Sequence, residues 1–258
     1  MKNYLLILSF FTFFISQAQL SNKHWLPPLH ARDESTIQDH YVYLSTAETT
    51  PFQITITTGN GIPIPGSPFT ISQTNPVEVN IGNGQPTDMF LDVTDVNVVK
   101  SDKGLILEGT KDFYVSFRMR HQNHAETLIS KGRPGIGNRF RLGHMINETS
   151  DSRTSFVASV MATENNTTLT LSDYNTNVVF TSGSGDITAD SQSFILNAGQ
   201  SIVFSGYSSL GANLDGALGA LIESSKPVAV NSGNILGGIE YGRADICLDQ
   251  IVSSSQIG

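Results

Sequence analysis

The stretch "GALIESSKPVAVNSGN" (residues 219–234) reads as two short strands around a polar turn, and a fainter copy, "GLILEGTKDFYVSF", stands at residues 104–117. With an offset of 115 positions, Gly219, Glu223, Lys226 and Val230 fall on Gly104, Glu108, Lys111 and Val115. The apolar positions follow: Leu221 and Ile222 on Ile106 and Leu107, and Val228 on Phe113. A second pair far from the first shares the shift. "AETTPFQITI" begins at Ala47 and "ATENNTTLTL" at Ala162, which puts Thr55 on Thr170. Two separate segments with one offset imply a duplicated unit, the feature to settle before any other.

The alternation inside the copies says what kind of unit it is. In "KPVAVNS", Val228 and Val230 point to one face while Ala229 and Asn231 point to the other. Pro227 takes the first strand position, where its missing donor costs least. In the earlier copy Phe113, Val115 and Phe117 hold the apolar face. Similar runs recur along the chain, among them "YVYLST", "FQITITT", "VEVNI", "FVASVMA", "TTLTLS", "SFILN" and "SIVFSG". Turn residues such as "TGNG", "PIPGSP" and "LNAGQ" separate them. The expected fold is all-β and antiparallel, with two tandem related meander units of about 115 residues. The packing is propeller-like or a β-sandwich, within a larger repeat assembly. Expected divisions are a leader at 1–18, an entry segment at 19–40, one unit at 41–145 and a second at 155–258, the last incomplete at its C-terminal end. The abrupt close at "DICLDQIVSSSQIG" suggests the N-terminal piece of a longer protein.

Composition sets the compartment. One lysine, an apolar run at residues 4–15 and the small-residue site Ser16-Gln17-Ala18 have the anatomy of a secretory leader cut before Gln19. The run is too short for a membrane span. Removing the leader takes Lys2 and no acid, so a formal charge of −8 becomes −9. That balance argues against nucleic acid and anionic membrane as partners. The lone Cys247 makes no internal disulfide and reads as a small buried residue.

Catalytic patterns are missing. There is no nucleophile elbow beyond the weak echo "SGYSSLG", no HExxH and no Walker loop. His121, His124 and Glu126 in "RHQNHAE" supply at most three zinc ligands, so neither a metal nor a cofactor is expected. The sequons at Asn147 and Asn165 read as turn residues. One segment departs from the chain average. Residues 118–144 carry six Arg or Lys side chains against the single Glu126. The second copy places Gly233 and Ile235 where the first has Arg118 and Arg120. Unequal decoration of equivalent backbones is one way for a repeat to acquire a site. The candidate binding patch is therefore Arg118, Arg120, His121 and His124, continued by Arg133, Arg139 and Arg141, with guanidinium forks suited to acidic groups.

"SSKPVAVNSGN", followed by the spaced "DICLDQIVSSSQIG", resembles the IgGFc-binding protein N-terminal domain family. In that family a "KPVAV.SG" strand precedes a "D.L.EQ.PP...WG"-type segment. Asp245 or Asp249, Gln250 and Gly258 stand for the second segment here, without its prolines and tryptophan. "HWLPPLHA" and "DHYVYLSTAETTPFQITI" resemble the start of bacterial members, large secreted or surface proteins with type IX secretion or gliding-motility modules. The resemblance implies a noncatalytic adhesion or binding module, exported to the cell surface or medium, whose partner is an extracellular protein or glycan. The competing classes are a secreted enzyme acting on polysaccharide and a ligand-free structural spacer.

Overall fold

The computed structural model describes residues 19–31, 37–121, 124–147, 153–240 and 243–254. The expected leader lies outside the described residues. Among them there is no α-helix, and no helix is long and apolar enough to cross a membrane.

Two long strands organise everything else. β8 (Leu105–His121) runs for 17 residues and β15 (Leu221–Glu240) for 20. Strands of that length exceed the usual span of one flat sheet, so each serves two half-sheets in turn. The first part of β8 pairs with β1 (Ser21–Leu26) on one side and β4 (Phe52–Thr58) on the other. Its second part pairs with β3 (Gln38–Ser45) and β9 (His124–Ile129). β5 (Phe69–Ile71) extends β4, and β6 (Val77–Gly82) extends β3. The second sheet repeats the plan. β15 pairs first with β10 (Gly137–Arg141) and β12 (Thr167–Ser172), then with β11 (Ser155–Ala162) and β16 (Arg243–Ile251). β13 (Gln192–Leu196) extends β12, and β14 (Ser201–Tyr207) extends β11. A short parallel pair, β2 (Leu29–His30) with β7 (Phe90–Leu91), completes the order.

The chain is therefore all-β and antiparallel apart from that pair, and consists of two tandem related units. Register makes the relation concrete. Thr55 faces Glu108 in the first sheet, and Thr170 faces Glu223 in the second. Lys111 reaches Glu48 in the β3–β4 connection at 2.7 Å, while Lys226 donates to the Asn165 carbonyl in the β11–β12 connection at 2.6 Å. Strand order departs from a simple meander. β12 and β13 are sequence neighbours and pair, but β15 runs between β11 and β12. β15 does so because its two ends lie in different half-sheets.

Each unit closes its two half-sheets over an apolar filling, as a nearly closed, barrel-like sheet. In the first, Leu105, Leu107, Phe113, Val115 and Phe117 from alternate positions of β8 meet Val42, Leu44, Ile54 and Ile56. In the second, Ile222, Val228 and Val230 meet Phe140, Phe156, Val160 and Leu171. β11 is buried along its whole length. Its even residues face their own core, and its odd residues face the first unit: Val157 joins the first core, and Met161 packs with Ala229 against Trp25.

Polar side chains fasten this junction. Asn231 donates to the Pro27 carbonyl at 2.9 Å. Gln250 donates to the Trp25 carbonyl, and its Oε1 accepts from the Lys131 amide at 2.6 Å and the Ser130 hydroxyl at 3.0 Å. The conspicuous "NSGN" motif is thus scaffold. Ser232 bonds both the amide and the carbonyl of Gly143, and Asn234 does the same for Met145. A Cβ on Gly233 would collide with the Cys247 carbonyl of β16, so the close strand pairing requires glycine there. Cys247, read from sequence as buried, is exposed. Ile246 and Leu248 take the covered face of β16, which turns the thiol outward on the strand.

Candidate functional site

Because Phe117 and Met119 point into the first core, Arg118 and Arg120 must point out of it. Their neighbours on that outer face follow from the register. Tyr41 lies between Arg118 and Asn80, and Tyr43 between Ser116 and Glu78. On the other side Thr127 faces Arg118 and Ala125 faces Arg120. The face is thus a row of tyrosines beside a row of arginines.

Asp39 enters by a local irregularity. β3 shifts register between Gln38 and Tyr41, and Asp39 has φ 54. Bulges re-aim side chains, and aspartate tolerates the left-handed region better than most residues. Here Asp39 is brought to Arg120, whose Nε donates to its Oδ2 at 2.6 Å. The adjacent His40 turns inward and bonds the Ile37 carbonyl, and burial lowers its pKa. β11 pairs with β14 and β15 with no such shift, so the bulge belongs to the first unit only.

A shallow pocket of about 210 Å³ opens here, walled by Asp39, Tyr41, Tyr43, Arg118 and Arg120, with Ala125 at its side. The tyrosine rings are 6.4 Å apart and tilted by 46°. The Tyr43 hydroxyl is hydrogen-bonded to Glu78 and Arg118, and the Glu78 carboxylate, which accepts its proton, raises its pKa. Two guanidinium groups and one carboxylate, Asp39, line the pocket, and Glu78 adjoins it through its hydrogen bond to Tyr43. Both acids are engaged with a neighbouring side chain, Asp39 with Arg120 and Glu78 with Tyr43.

The other residues of the basic segment lie elsewhere. His121 is buried, and its ring stacks on His124 at 6.3 Å. His124 Nδ1 is 3.2 Å from Asp245 of β16. Arg133 donates to Asn22 at 3.0 Å. Arg139 and Arg141 sit on β10 in the second sheet, 3.9 Å from Glu223 and 2.9 Å from Asp173 respectively. Only Arg118 and Arg120 of the seven share the pocket. No group of three metal-binding side chains occurs among the described residues. Of the sequons, Asn147 is buried and bonds Ser208 and the Gly238 amide. Sequence reasoning passed over Tyr41, Tyr43, Asp39 and Glu78. The available signal was "DHYVYLS", where two tyrosines alternate with Val42 and Leu44 and so must face outward together.

The equivalent face of the second unit is closed. Val157, Ser159, Gly233 and Ile235 occupy the register positions of Tyr41, Tyr43, Arg118 and Arg120. All four are buried, and Val157 and Ile235 join the core of the first unit. Duplication has left one copy of this face as the junction and the other open.

The family model described as IgGFc binding protein matches residues 125–258, which takes in β9 and every strand of the second unit. No curated protein and no solved structure matches the chain. With more than half its length matched, the chain belongs to the IgGFc binding protein family.

Proposed function

We propose that the protein is an exported, noncatalytic binding module of the cell surface or medium, and that its first unit presents the Tyr41–Arg118 face to an extracellular protein or glycan. One observation carries this reading. The open face bears tyrosine and arginine at positions that the second unit fills with Val157, Ser159, Gly233 and Ile235 for packing. Tyrosine and arginine are the side chains over-represented where surfaces bind partners. Membership of a family of binding proteins supports the same reading. A leader at residues 1–18 and two units following it complete the proposed organisation, with β8 and β15 as rigid supports and adhesion as the setting.

The test is binding of the purified protein to extracellular protein and glycan arrays, compared with an Arg118→Gln, Arg120→Gln double variant. The expected result is retained binding by the parent and a loss of about tenfold or more in the variant at unchanged melting temperature. Equal binding by both would overturn the assignment of the face.

A further inference from the structure

The pocket's chemistry narrows the ligand, and the argument rests on the proposed binding role of this face. A pocket lined by guanidiniums alone would select an acidic group, but here Asp39 stands in the lining with Arg118 and Arg120, and Glu78 is hydrogen-bonded to Tyr43 beside them. An acidic ligand that paired with the guanidiniums would meet Asp39, which is hydrogen-bonded to Arg120 at 2.6 Å. The arrangement instead sets a donor beside an acceptor. Arginine offers five N–H donors and no acceptor, and a carboxylate offers acceptors only. A vicinal diol both donates and accepts, so its two hydroxyls satisfy such a pair at once. Tyr41 and Tyr43 add two tilted ring faces next to it, partly exposed, on which the C–H side of a saturated ring can lie. The volume of about 210 Å³ is below that of pockets for drug-sized molecules and suits one small ring.

We infer that the pocket binds one neutral pyranose unit of a glycan, with its vicinal hydroxyls held by Asp39 and Arg120 and its ring face lying against Tyr41. The pocket is shallow, so affinity for a single unit is weak, and repeated units of a polymer supply avidity.

The experiment titrates the purified protein with mannotetraose, cellotetraose and laminaritetraose as neutral probes and with tetragalacturonate as the acidic one. Calorimetry gives affinities, and the ring resonances of Tyr41 and Tyr43 locate the site without any substitution. Binding of at least one neutral probe is expected, changing by less than about twofold when ionic strength rises tenfold. It should weaken about tenfold in Asp39→Asn and in Tyr41→Ala, and stay the same in Arg139→Gln on the second unit. Preference for tetragalacturonate, falling steeply with salt, would overturn the neutral-sugar inference and leave the binding role standing. So would silence toward all four saccharides by a protein that still binds an array ligand through Arg118 and Arg120. Silence toward saccharides and arrays alike, from a folded sample, would overturn both.

Discussion

Gln250 donates its side-chain amide to the Trp25 carbonyl at 2.7 Å, joining β16 of the second unit to β1 of the first. The same side chain accepts from Ser130 and the Lys131 amide, and it is 2 % exposed. Gln250 therefore acts as a clamp between units. Gln250→Ala removes three hydrogen bonds at once, two of them buried, although Ser130 keeps His24 as a partner. An unmet buried polar group costs about 1–3 kcal/mol before relaxation and water entry. The expected loss is about 2–4 kcal/mol in urea unfolding at unchanged slope. A loss below about 0.5 kcal/mol would place the clamp outside the stability of the fold.

Gly233 has φ 153 and no room for a Cβ against the Cys247 carbonyl. Its register counterpart in the first unit is Arg118, where a full side chain stands beside β9. Gly233→Ala is expected to cost about 2 kcal/mol or more, while Arg118→Ala costs less than about 0.5 kcal/mol. Thermal unfolding of the two variants side by side checks the contrast. Equal shifts would mean that β15 and β16 yield without strain.

His24 links folding to pH. Its Nε2 lies 3.0 Å from the carbonyls of Ser21 and Phe113, its Nδ1 lies 3.0 Å from the Ser130 hydroxyl, and burial lowers its pKa from 6.5 to about 4. The unfolded chain then binds a proton that the folded chain refuses. This contribution is fully present above about pH 6.5 and is lost as pH falls towards 4, amounting to about 3 kcal/mol at the acid end. Burial lowers His40 and His144 in the same direction. Imidazole titration by NMR should show His24 neutral at pH 5. An inflection near 6.5 would contradict the buried neutral ring.

Much of this is legible in the sequence alone. One offset put Thr55 on Thr170 and Glu108 on Glu223, and those residues pair in the same register in both sheets. Periodicity is a local property, so it survives in the sequence. Strand neighbours are not local. "FVASVMA" and "TTLTLS" adjoin in sequence, yet β15 separates them because its 20 residues bridge two half-sheets. The basic run split for a related reason. The chain leaves the first unit after β9 and enters the second at β10, which takes Arg139 and Arg141 away from Arg118 and Arg120. Tyr41 and Tyr43 are visible as a strand, but Tyr41 meets Arg118 across 77 positions, which needs the pairing of β3 with β8. The bulge at Asp39 carries no glycine or proline to mark it.

The most direct measurement is amide hydrogen exchange of the purified protein with and without a ligand recovered from the arrays. Slowed exchange confined to residues 38–43, 77–80 and 114–129 is the predicted result. Protection centred on β10 and β12, around Arg139, Arg141 and Thr170, with the Tyr41–Arg118 face unchanged, would contradict the account.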